Sequence, residues 1–270
     1  RHDQVVLPGY THLQQAQPIL FAHYALSLFW MLERDAGRLA DAWKRADYMP
    51  LGSGALAGST FPIDREFLRS ELGFAAVTPN SLDAVSDRVF LLETLSALSI
   101  LMMHLSRFCE DLVVWSSAEF GFVELSDAFS TGSSMMPQKK NPDCYELVRG
   151  KTGRIVGNLS NLLIAVKGLP LTYNRDLQED KPPVFDSFDQ LSICLAVVKG
   201  CMEGTLFNEE KCESAASDQL LLATDLADFL VSSGLPFRQA HHVVGELVGL
   251  AESKGVSLTD ISDEEASGIS

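Results

Sequence analysis

The stretch from residue 81 to about residue 120 constrains this chain more than any other. Val85, Val89, Leu92, Leu95, Met102, Leu105, Cys109 and Leu112 recur there at spacings of three and four, the period of one face of an α-helix. Its middle third is apolar almost all round, and a rod of that length, more than about 50 Å at the helical rise per residue, needs cover on several sides. One subunit can hardly supply it all.

Other segments repeat the pattern. Residues 18–46 carry a stripe through Phe21, Leu28, Leu32 and Leu39, with Pro18 placed as a first helical residue. Residues 143–167 (Leu147, Ile155, Leu159, Leu163) and 183–207 (Phe185, Phe188, Leu191, Leu195, Val198) predict two more long helices. The glycine-rich segment LGSGALAGST at 51–60 interrupts them, and a short helix over 64–72 closes at Gly73. Strand-like alternation is hard to find. From about residue 208 the chain breaks into shorter helices punctuated by Gly234, Pro236 and Gly255. The expectation is an all-α, long-helix bundle: a central domain over 1–212 and the start of a small helical domain over 213–270. Surplus apolar surface on the rods predicts that bundles from several subunits pack together.

A formal charge of -15 argues against a nucleic-acid partner, and the 21 Lys and Arg residues form no long basic block. Cys109, Cys144, Cys194, Cys201 and Cys212 show neither CxxC spacing nor a small disulfide framework, which suits reduced thiols in a cytosolic protein. The most apolar run, 91–105, is interrupted by Glu93, Thr94, Ser96, Ser99 and His104, so no membrane span is expected. No secretory leader is read at the start, and the chain opens on Arg1 and stops on a polar tail, as a fragment cut at both ends would. His241 and His242 are adjacent and point about 100° apart on a helix, so no metal pair is expected. There is no phosphate-cradling glycine motif after a strand, and the chemistry is expected to need no cofactor.

The string GSSMMPQKKN at 132–141 joins small flexible residues to two lysines and an amide. Such a loop can wrap backbone N–H groups and hydroxyls around an anion with ammonium groups beside it, as suits a reaction that builds negative charge next to a carboxylate. A bare Gly-Ser-Ser before lysines is more commonly a solvated turn. The whole string, however, resembles the GSSxMPxKxN loop of the fumarase/aspartase superfamily of lyases, and its variable positions are similar to those of the argininosuccinate lyase branch. GYTHLQ (9–14) resembles that superfamily's histidine segment, and LTYNRDLQEDK (171–181) its substrate-clamping stretch in this branch. ATDLA (223–227) and PFRQAH (236–241) are also typical of the branch. Met135, where leucine or isoleucine is usual, and Cys144, where serine is common, are small departures. The family's first conserved segment would precede Arg1.

The resemblance covers essentially the whole chain. It implies a cytoplasmic homotetramer around a twenty-helix core, with three subunits contributing to each active site, and cofactor-independent anti-elimination of argininosuccinate to arginine and fumarate in arginine biosynthesis. Adenylosuccinate lyase, fumarase or aspartase activity is the alternative within the superfamily. A delta-crystallin-like structural protein is the alternative of another class.

Carried over by position, Ser133 is the proton acceptor. Lys139 and the loop N–H groups favour its alkoxide and the dianionic intermediate, and Asn141 binds a substrate carboxylate. Ser134 is a lesser candidate that helps hold the carboxylate. His12, which alone reads as a hydrogen-bonded structural residue, becomes the proton donor, with Glu146 as its carboxylate partner. An older scheme exchanges the roles of serine and histidine. Alone, Glu146 reads as a first-turn helix acid. Thr11, Tyr173, Gln178 and Lys181 are implied substrate contacts, although 173–181 alone reads as a polar loop. Arg88 lies either near the site or in an ion pair within its own helix.

Overall fold

The computed structural model describes residues 2–132, 134–136 and 139–269. It forms two compact units, residues 27–206 and residues 1–26 with 207–270, a partition drawn differently from the expected division at 212/213.

In the larger unit, α1 (Phe21–Ala46, its first residues in the smaller unit) is followed by α2 (Arg65–Leu72), α3 (Ser81–Ser86), α4 (Val89–Trp115), α5 (Asp143–Val166) and α6 (Lys181–Gly204). Helix α2 starts because Asp64 accepts the Phe67 N–H at 2.9 Å and stops at Gly73, whose φ of 75° no β-carbon obstructs. The rods α4, α5 and α6 run alternately up and down. Near one end Leu95, Leu162 and Val184 pack together under Leu91, Leu159 and Val166. Midway, Thr152 Oγ1 donates to the Met102 carbonyl at 3.2 Å, and at the other end Arg149 pairs with Glu110 at 2.5 Å. Tyr145, fully buried, meets Thr205 Oγ1 at 3.2 Å at that same end. Helix α1 is tied on by a buried Asp35, which meets His104 Nδ1 at 2.7 Å and Arg38 at 2.9 Å.

The expected continuous helix over 81–120 is two helices. Asp87 is extended at ψ 137°, and its carboxylate accepts the Val89 N–H at 2.9 Å, so a new helix begins there. The second helix ends at Trp115, not near Phe120: Gly121 turns at φ 60° and the Phe122 N–H returns to the Trp115 carbonyl at 2.9 Å. By length and composition α4 is, among the described residues, a helix able to cross a membrane, so the polar residues within 91–105 carry less weight than expected. Its Leu95, Leu98, Met102, Leu105 and Leu112 are buried in the bundle. Large apolar side chains also remain exposed, among them Trp30, Leu147, Ile164 and Phe185.

The smaller unit overturns the helix start expected at Pro18 and supplies strands that the sequence did not announce. Strands β1 (Val6–Thr11) and β2 (Gln14–Leu20) form an antiparallel hairpin with Thr11 opposite Gln14, so Pro18 lies in a strand and α1 starts only at Phe21. Pro8 faces Pro18, and a pair without N–H groups fits only a non-hydrogen-bonded site of the ladder. The hairpin packs on α7 (Glu209–Ala216), and the Phe21 ring meets that of Phe207 at a tilt of 49° with centroids 4.3 Å apart. Those contacts join the start of the chain to the segment that opens the C-terminal helices. Helices α8 (Ala223–Ser232), α9 (Phe237–Lys254) and α10 (Asp263–Ser267) complete this unit, as the glycine and proline punctuation predicted.

Candidate active site

Where α5 begins, a two-residue antiparallel ladder pairs Thr131 with Asn141 and Gly132 with Lys140, bringing the flanks of the GSSMMPQKKN loop together. Asp143, in the first turn of α5, accepts the Thr131 N–H at 3.1 Å. Lys140 is pinned between Asp127 at 2.8 Å and Glu124 at 2.7 Å, which holds its ammonium above the usual lysine range. Phe129, two residues before the ladder, lies so close to Gly200 of α6 that any β-carbon there would collide with its ring. The base of the loop is thus fixed by backbone, charge and packing together.

Of the residues carried over to this end, Lys139 and Glu146 are exposed and Asn141 is half-buried. The two adjacent lysines therefore divide: Lys140 is held by two carboxylates at the loop's base, while Lys139 is exposed. The Lys139 N–H donates to the Met136 carbonyl at 3.0 Å. Glu146 lies in the first turn of α5, as expected, and its charge adds to that of Glu110, whose bond chiefly raises the Arg149 guanidinium. Ser134 is exposed; Ser133, on which the chemistry was placed, lies outside the described residues.

A second group gathers where α6 begins. The 3-10 turn Arg175–Asp180 leads into the helix, and Gln178 Nε2 donates to the Tyr173 hydroxyl at 2.5 Å. Asp180, only 4% exposed, accepts Arg88 Nε at 2.5 Å and Lys181 Nζ at 2.9 Å. Burial pushes its carboxyl up, but the bonds from Lys181 and Arg88 outweigh this and hold it below the usual carboxylate range. Arg88 thus pairs with a residue 92 positions away and not within its own helix. Asp180 was missed by sequence reasoning, since nothing local marks an acid beside a lysine as buried. A cleft of about 810 Å³ opens here, lined by Arg88, Tyr173, Tyr48, Phe74, Asp83 and Asp87 among others.

The loop and this clamp do not come together within one chain. Each stands at an opposite end of α5, a helix of 24 residues and so about 36 Å long. Helix α6 tells the same story: Phe129 packs beside its last turn and Lys181 is its first residue. In the other unit, Thr11 and His12 sit exposed at the hairpin tip. Its two turn residues have positive φ, 55° at His12 and 57° at Leu13, conformations usually left to Asn and Gly.

Among the described residues no group of three or more His, Cys, Asp or Glu side chains is placed to hold a metal ion. All five cysteines are reduced; burial pushes Cys109 and Cys201 up to about 12 and Cys212 to about 11, so these thiols stay protonated near neutral pH.

The sequence model of a family described as Lyase matches residues 1–157, more than half of the chain. The chain belongs to this lyase family. A second model, described as argininosuccinate lyase C-terminal, matches residues 220–270. The lyase chain is 59% identical over 260 residues to an argininosuccinate lyase of Symbiobacterium thermophilum and 58% identical over 261 residues to one of Bacillus cereus. These alignments cover 96% and 97% of the chain but 56% of each relative, so the chain spans just over half the length of the curated relatives it matches. A crystal structure of EDDS lyase in complex with formate superposes with a TM-score of 0.90 at 29% identity, covering 98% of this chain and 53% of that one. The long-helix bundle expected from the sequence is the fold observed, with the hairpin added.

Proposed function

We propose that the full-length protein is an argininosuccinate lyase, and the observation that carries this is the 58–59% identity to argininosuccinate lyases along nearly the whole chain. In this reading Ser133 takes the proton from the succinyl carbon next to a carboxylate. The electrons left behind form the new C=C bond as the neighbouring C–N bond breaks. The nitrogen leaves with that bond's electron pair and collects a proton from His12, giving arginine and fumarate. Lys139 and the loop N–H groups stabilise the charge that spreads into the carboxylate before the bond breaks, and Asn141 holds that carboxylate. Glu146 sets the orientation and charge of His12. Thr11, Tyr173, Gln178 and Lys181 hold the rest of the substrate.

The roughly 36 Å of helix between loop and clamp supports a site completed by different subunits. So does the apolar surface left open at Trp30, Leu147, Ile164 and Phe185. The assembly is a homotetramer, with His12 supplied from a further chain. Its reduced thiols suit the cytoplasm, and its acidity suits neither a nucleic acid nor an anionic membrane surface as partner.

Purified full-length protein is expected to release fumarate from argininosuccinate and none from adenylosuccinate or aspartate. Equal or faster release from either of those would reject the assignment.

A further inference from the structure

Asp180 is buried, yet no step of the elimination uses it. Both of its oxygens are occupied, Oδ2 by Arg88 at 2.5 Å and Oδ1 by Lys181 at 2.9 Å. Arg88 is itself held, since its Nη1 donates to the Asp87 carbonyl at 2.6 Å while the Asp87 carboxylate accepts the first N–H of α4 at 2.9 Å. A chain of bonds therefore runs from the start of α4, through a buried carboxylate, to an ammonium on the first residue of α6. That ammonium sits where a helix dipole disfavours a cation, ahead of Pro182 and Pro183, so helix stability does not explain it. Arg88 alone would neutralise Asp180. With Lys181 as well, two cations meet the one carboxylate of Asp180 while the neighbouring Asp87 carboxylate is committed to the Val89 N–H, beside the cleft that Arg88 and Tyr173 line.

We propose that Asp180, locked by Arg88, is a positioning residue that fixes the Lys181 ammonium for a carboxylate of the substrate. This rests on the reading of Lys181 as a substrate contact. The Lys181 side chain is 55% exposed and open to a ligand, and its bond to the buried carboxylate narrows the positions its ammonium samples, so less ordering remains to be done on binding.

The test uses full-length protein carrying Asp180→Asn, Arg88→Gln or Arg88→Lys, with Arg154→Gln, whose Asp186 partner lies elsewhere on the bundle, as control. Two readouts are followed: steady-state fumarate release from argininosuccinate, and the rate of reductive methylation of Lys181 measured by mass spectrometry. Asp180→Asn is expected to raise KM about tenfold with kcat within about threefold, the pattern of lost binding rather than lost chemistry. Its Lys181 should methylate several-fold faster. Arg88→Gln should follow it, and Arg88→Lys, which keeps the charge but not the planar fork, should fall between. If Asp180→Asn fails to fold, the comparison of Arg88→Lys with Arg88→Gln decides. KM within about twofold of wild type together with unchanged Lys181 methylation would overturn the proposal. Wild-type protein that releases no fumarate would overturn the reaction instead, and the methylation arm would still decide the coupling.

Discussion

At the loop end of the bundle the backbone is fastened and the working side chains are left open: the ladder, Asp143 and Lys140 hold the base while Lys139 and Glu146 stand in solvent. At the clamp end the side chains themselves are fastened, with Lys181 and Arg88 bonded to a carboxylate that is 4% exposed. A loop that must close on a substrate keeps its reactive groups uncommitted; a surface that only receives a carboxylate benefits from a cation already in place. Under the proposed function the two designs serve complementary halves of one site, which different chains bring together.

The largest expected effect belongs to the loop. Ser133→Ala in the full-length protein should lower kcat by about 10²-fold or more, measured as fumarate release, whereas clamp substitutions should act mainly on KM. Retention of more than about a tenth of kcat would move the chemistry elsewhere. Next comes the packing that seats the loop. Gly200→Ala would force the Phe129 ring aside, lowering stability by about 1–3 kcal/mol in denaturant titration and reducing kcat without comparable change in KM.

The clamp is sharpened by pH. Because the folded-state pKa of Asp180 lies below the ordinary 3.8, its contribution is complete above that value and is lost as pH falls through the lower, folded one. The difference in melting temperature between wild type and Asp180→Asn should therefore be constant through the neutral range and shrink only below pH 3.8. A difference that already shrinks near neutrality would contradict the pairing. The smallest effect lies at the hairpin tip: Leu13→Gly relieves a left-handed conformation and should stabilise the protein by about 0.5–1 kcal/mol. No gain would mean that the His12 turn carries no strain.

Much of this architecture is legible in the chain because rods announce themselves through spacing. The bounds of α5 and α6 and the stop at Gly73 follow from apolar periodicity and one glycine. The hairpin does not, because its ladder is set by a turn built from His12 and Leu13, neither of which is a turn-forming type. The break before α4 had a signal, Asp87 just ahead of an apolar run, but continuous periodicity across it masked the cap. Site residues are legible by type and motif alone. Their separation by the length of α5, and the tie from Arg88 to Asp180, are products of tertiary packing that no local pattern encodes.

The claim that loop and clamp meet only between chains is tested most directly by mixing two full-length variants, Ser133→Ala and Lys181→Ala, under conditions that allow subunits to exchange, and assaying at substrate far below the raised KM of Lys181→Ala, where neither variant alone turns over appreciably. Sites that take the loop from one chain and the clamp from another should regain activity in about one case in four, and fumarate release should rise far above that of either variant alone. If loop and clamp act within a single chain, every site inherits one defect or the other, and a mixture no more active than its components would contradict the account.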